Sequence, residues 1–164
     1  MGLIELDADD VVAAIQQWVP GPLFSEARCQ DALFRFLKRR FPKKALTMEE
    51  RVGPGRADIV VRLKDWTGFG ATVVIELKYG LTTANEYRRL VGQVADYIKE
   101  KMEVVVVLCG PTSSTLASRV KDHMRTLAAD KVWFKGHLLT KPVAERTTGG
   151  HFLPGNAKDV GRSG

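Results

Sequence analysis

No apolar run in this 164-residue chain approaches the roughly 20 residues that a membrane-spanning helix needs. A transmembrane reading is therefore set aside. Only two cysteines are present, Cys29 and Cys109, with no close spacing between them. That excludes a disulfide scaffold or a cysteine-ligated zinc site, and suggests buried thiols in a reducing compartment. The three histidines, His123, His137 and His151, show no ligand spacing. The start of the chain is acidic (Glu5, Asp7, Asp9, Asp10) and does not read as a signal peptide. A cytoplasmic location is expected on these grounds. No internal repeat is visible.

What is present fits one globular α/β domain. Hydrophobic residues make up 45% of the chain, too many for a disordered polymer. The formal charge is +6, from 25 basic and 19 acidic residues, which favours an anionic partner such as nucleic acid.

Periodicity predicts a first helix over 7–18, from Val11, Val12, Ile15 and Trp18. Pro20-Gly21-Pro22 breaks it. Ser25 is the expected cap of a second helix over 26–41, ended by Pro42. Strands are predicted over 45–52, 57–63 and 72–78, joined by short turns as an antiparallel meander. Thr82 or Thr83 opens a long helix to about Glu100. The β-branched run 103–108 predicts a central parallel strand. A helix over 113–129 and a last strand over 131–135 complete an α-α-β-β-β-α-β-α-β order. Residues 1–22 form a leading helix and linker, 23–135 a core, and 136–164 a basic tail. The tail carries Lys141, Arg146, Lys158 and Arg162 against Glu145 and Asp159.

The chemistry lies in two apolar strands that carry charges. Val73-Val74-Ile75-Glu76-Leu77-Lys78 places Glu76 and Lys78 on one face, because side chains two residues apart in a strand point the same way. Ala57-Asp58-Ile59-Val60-Val61 carries one acid in the same manner. If the two strands pair as a hairpin, Asp58, Glu76 and Lys78 converge. Charges in such runs are costly unless paired, solvated in a cleft or bound to a cation. Hard oxygen ligands suit Mg²⁺, with Mn²⁺ as a substitute. A lysine beside such a metal suits phosphodiester hydrolysis.

Asp58 followed by Glu76-Leu77-Lys78, on adjacent strands after a helix, resembles the PD-(D/E)xK nuclease superfamily. Gly55-Arg56-Ala57-Asp58 is similar to its glycine-led approach to the first acid, with alanine in place of the family's proline. Gln93-Val94-Ala95-Asp96-Tyr97 is similar to the Q-x-x-x-Y helix of the RecB-like and Cas4-like branch, although the iron–sulfur cysteine cluster of some members is missing. The resemblance covers about half the chain, from Glu26 to about Leu108. It implies a restriction-endonuclease-like αβββαβ core, a mixed central sheet flanked by helices.

It also implies a Mg²⁺-dependent deoxyribonuclease. Asp58, Glu76 and the main-chain carbonyl near Leu77 would hold the metal, with Glu26 of the first core helix, or Glu50 as the fallback, completing the set. Lys78 would position the attacking water. Gln93 and Tyr97 would contact DNA or brace the catalytic residues, with Arg56, Arg88 and Arg89 as substrate contacts. Arg89, Gln93 and Tyr97 are spaced as a substrate-facing row beside the buried stripe. Two alternatives within this fold stay open. One is a homodimeric resolvase of Holliday-junction type, the other a non-catalytic DNA-binding or assembly module, and a homodimer or a partner chain fits either. A further reading is coincidence in a small α/β interaction protein, and strand pairing decides it: if Asp58 and Glu76 face opposite sides of the sheet, the nuclease reading fails.

Overall fold

The computed structural model describes residues 6–23, 25–129 and 136–141. Its elements are α1 (Ala8–Gln17), α2 (Glu26–Arg40), β1 (Ala45–Val52), β2 (Gly55–Arg62), β3 (Thr72–Tyr79), α3 (Ala84–Lys99), β4 (Glu103–Cys109), α4 (Ser114–Ala129) and β5 (Gly136–Lys141). This is the expected order, with the αβββαβ core running from α2 to β4. Each helix starts where the sequence offers a cap. Asp7 and Asp10 form a capping box on α1, and Ser25 Oγ accepts the Arg28 amide at the head of α2. Thr83, rather than Thr82, closes a capping box with Glu86 on α3.

The five strands lie in sequence order. The pairs β1–β2 and β2–β3 are antiparallel, as their short turns require. The pairs β3–β4 and β4–β5 are parallel, each joined through a helix. Helices α1 and α2 cover one face, packing on Ile59, Val61, Val73, Ile75 and Leu77. Helices α3 and α4 cover the other, packing on Val60, Val74, Val104, Val106 and Leu108. Strands β3 and β4 are thus covered on both faces, which accounts for their unbroken apolar runs. The first helix is part of this core: Val11, Ile15 and Trp18 are buried in it.

One expectation on element placement falls outside the described residues, and another is corrected. Residues 131–135, read as the last strand, lie outside the described residues. The observed last strand is Gly136–Lys141, in the segment read as the start of the tail. Its only apolar pair works because consecutive strand residues face opposite ways. Leu138 packs on the α3–α4 side and Leu139 on the α1–α2 side. Likewise, Tyr97 lies within the buried stripe of α3 and not beside it, and is fully buried. At 3.6 residues per turn, eight residues rotate a side chain by roughly 80°, so a row begun at exposed Arg89 drifts into the core by Tyr97.

Candidate active site

The β2–β3 ladder runs from Arg62↔Thr72 to Ile59↔Ile75. It stops immediately before Asp58 and Glu76, where the two strands part. At that fork the Asp58 carboxylate takes the place of a ladder partner, its Oδ2 accepting the Leu77 amide at 2.7 Å. The next charged group along β3 is Glu76, which is 0% exposed. Its Oε2 accepts the Tyr97 hydroxyl from α3 at 2.9 Å. Its Oε1 is buried with no hydrogen-bond partner among the described residues, and Lys78 Nζ stands 3.5 Å away.

On the other side of Lys78 is Glu26, the first residue of α2. Its Oε1 lies 3.6 Å from Lys78 Nζ, and its Oε2 accepts the Tyr79 amide at 3.3 Å. A carboxylate at this position also suits the positive end of the helix.

Electrostatics bind the group together. Burial, offset by the Leu77 amide bond and the Lys78 charge and reinforced by Glu26 and Glu49, pushes the Asp58 carboxyl up to about 6. Burial and the Asp58 charge push Glu76 up to about 7, against the pull of Lys78 and Tyr97. The Asp58 charge acts on Glu76 across the fork, where the two acids are the next residues beyond the paired Ile59 and Ile75. Burial and the Glu76 charge raise Tyr97 as well, keeping it a hydrogen-bond donor.

The remaining sequence candidates divide. Arg89 lies on the Lys78 side of the fork: with Glu26, Lys78, Tyr79, Leu81 and Glu86 it lines a cavity of about 140 Å³. Gln93 Oε1 is buried with no hydrogen-bond partner among the described residues. Arg56 is exposed, with its guanidinium 4.0 Å from Glu49 and its carbonyl accepting the Tyr97 hydroxyl at 3.1 Å. Arg88 reaches back to Asn85 within the first turn of α3 and does not line that cavity. Glu50 does not serve as the fallback acid, because Arg62 and Thr47 hold its carboxylate in the β1–β2 hairpin.

Two residues of the site carry no sequence signal of their own. Glu49 sits on β1 with a positive φ of 55°, an uncommon conformation for a residue with a Cβ. Gln30 of α2 donates to Glu49 Oε1 at 2.8 Å and to the Asp58 carbonyl at 3.1 Å. One side chain therefore ties α2, β1 and β2 together behind Asp58. Among the described residues, no three His, Cys, Asp or Glu side chains are grouped closely enough to hold a metal ion. The oxygen donors on hand are the Asp58 and Glu76 carboxylates and the neighbouring main chain.

No family profile matches the sequence, and no curated protein matches it either. Among solved structures, SfsA from Pyrococcus furiosus, solved in complex with Ca²⁺, is similar with a TM-score of 0.42 and 13% identity. The match covers 71% of this chain and 58% of that one. No described helix is long and apolar enough to cross a membrane.

Proposed function

We propose that this protein is a metal-dependent nuclease that hydrolyses DNA phosphodiester bonds, of the RecB-like type within the PD-(D/E)xK superfamily. The observation that carries the reading is the buried Glu76 carboxylate, held by Tyr97 on one oxygen and 3.5 Å from the Lys78 ammonium on the other, at a fork shared with Asp58. Asp58, Glu76 and Glu26 share one ammonium, and such an excess of negative charge in a buried fork is costly unless a further cation meets it. Two carboxylates and a carbonyl are a fitting donor set for Mg²⁺ or Mn²⁺, which keep several waters and need few protein ligands. When bound, such an ion polarises the phosphate and lowers the pKa of its water.

The chain's own groups have distinct tasks. Asp58 and Glu76 supply negative charge to the ion, with the Leu77 carbonyl as the third donor. Tyr97 fixes the Glu76 carboxylate in one orientation. Lys78 orients the attacking water and offsets charge developing on the phosphate. Glu26 is assigned to Lys78, since its two oxygens face the ammonium and the Tyr79 amide. Arg89, on the wall of the adjoining cavity, contacts the phosphate backbone.

The test is cleavage of linear, nicked, single-stranded and four-way-junction DNA with Mg²⁺, with Mn²⁺ and with EDTA. Metal-dependent cutting that Asp58→Ala abolishes is the expected result, and the preferred substrate separates a processing nuclease from a resolvase. A wild type that binds DNA but cuts none of these substrates with either metal overturns the reading in favour of a non-catalytic module.

A further inference from the structure

The end of the sheet remote from the fork carries a second surface. Lys78 lies six residue steps along β3 from Thr72, about 20 Å of strand, so the loop before Thr72 lies at the opposite pole from the candidate site. That loop exposes two large aromatic side chains, Trp66 at 88% and Phe69 at 74%. They are presented on ordered backbone. The Leu63 amide donates to Ala71, the Asp65 amide to Phe69 and the Gly68 amide to Asp65, which extends the β2–β3 hairpin to its tip. Gly70 closes the loop so tightly that a Cβ there would meet the Leu63 carbonyl oxygen at 2.6 Å. The acid of the loop, Asp65, is exposed and held within the turn, its Oδ1 accepting the Thr67 amide at 2.8 Å.

Cations adjoin this tip. The α2–β1 connection runs alongside it: Ala45 pairs with Arg62, and Lys44 Nζ donates to the Leu63 carbonyl at 3.3 Å. Arg39 and Arg40 end α2, Lys43 follows, and Lys64 precedes Trp66. All four are exposed, and none has an ion-pair or hydrogen-bond partner among the described residues. The helix dipole accounts for cations at the end of α2. It does not account for Lys43 and Lys64, nor for two aromatic faces held open to water beside them.

The geometry points to a contact surface for single-stranded nucleic acid at this pole, in which unpaired bases stack on Trp66 and Phe69 while Lys43 and Lys64 take the flanking phosphates. Stacking selects single strands because duplex bases keep their faces covered, and it tolerates any base. The cations supply a salt-dependent term that does not read sequence. The inference rests on this surface alone and stands whether or not the fork cuts DNA.

The experiment is fluorescence anisotropy with a short labelled oligothymidylate and a duplex of equal length, in EDTA, over a range of salt. Chelation keeps cleavage out of the readout, so a failure of the nuclease reading does not affect it. Trp66→Ala/Phe69→Ala is expected to weaken single-strand binding about tenfold or more and to leave duplex binding nearly unchanged. Trp66→Phe is expected to retain most of the affinity. Lys43→Ala/Lys64→Ala is expected to weaken both ligands and to flatten the salt dependence. Because these side chains are exposed, circular dichroism serves only to confirm the fold. Oligothymidylate binding unchanged in the aromatic double variant overturns the proposal. So does wild-type affinity for anionic phosphatidylglycerol vesicles that the same variant loses while its oligonucleotide binding persists.

Discussion

Glu76 is the residue on which most depends. A carboxyl whose folded pKa is raised from 4.5 to about 7 favours the native state in its protonated form. That contribution is fully present below the unfolded value of 4.5 and is lost as pH rises through about 7. Without metal, Glu76→Gln is therefore expected to raise stability at pH 8 by about 1–3 kcal/mol, and the gain should fade by about pH 5. Urea unfolding at the two values checks this. A variant that is equally stable or weaker at the higher value would mean that the wild-type acid is not strained there. The hydroxyl of Tyr97 acts in the other direction, since it meets Glu76 and the Arg56 carbonyl. Tyr97→Phe is expected to cost about 1–2 kcal/mol in chemical denaturation, because the buried Glu76 carboxylate and the part-buried Arg56 carbonyl lose their donor. The trio of Asp58, Glu76 and Lys78 was legible in the sequence, since charges in apolar strands stand out and the strand period fixes their facing. Glu49 and Gln30 were not. Their part depends on a positive φ in β1 and on the docking of α2, neither of which leaves a spacing in the chain.

Among the elements, the helices and first four strands were readable because caps, prolines and apolar periods agree at each boundary. Strand β5 was not, because two leucines facing opposite ways give no period to detect. The β2–β3 loop shows how a single position holds an element in shape. Gly70 has φ 139° and no room for a side chain against the Leu63 backbone. Gly70→Ala is expected to destabilise the fold by about 1–3 kcal/mol, seen as a lower thermal midpoint. An unchanged midpoint would show that the loop relaxes freely. In the β1–β2 hairpin, Arg62 and Thr47 hold Glu50 down to about 2. Its depressed pKa makes a contribution that is present above the unfolded value of 4.5 and lost as pH falls towards about 2. The pair is partly open to solvent, so Glu50→Gln is expected to cost only about 0.5–1 kcal/mol near neutrality, and nothing near pH 2.

Seen whole, the two proposed sites lie at opposite ends of the sheet. The fork between β2 and β3 gathers acids and one lysine under α2 and α3. The opposite pole offers aromatic faces and free cations. The net charge of +6 supports an anionic partner for both. Burying acids without a cation costs stability, a common trade at a reactive site. Millimolar Mg²⁺ is therefore expected to raise the thermal midpoint of the wild type and to leave that of Asp58→Asn/Glu76→Gln unmoved. An equal shift in both proteins would place the ion elsewhere.

The most direct test of the central claim is single-turnover DNA cleavage by the wild type and Lys78→Ala at saturating Mg²⁺, with the Mg²⁺-induced thermal shift recorded on the same samples. Lys78 is assigned to the water and the phosphate, and the metal is assigned to Asp58 and Glu76. The expected result is cleavage slowed by about 10²–10⁴-fold with the thermal shift retained. Cleavage by Lys78→Ala within a few-fold of the wild type would contradict the account.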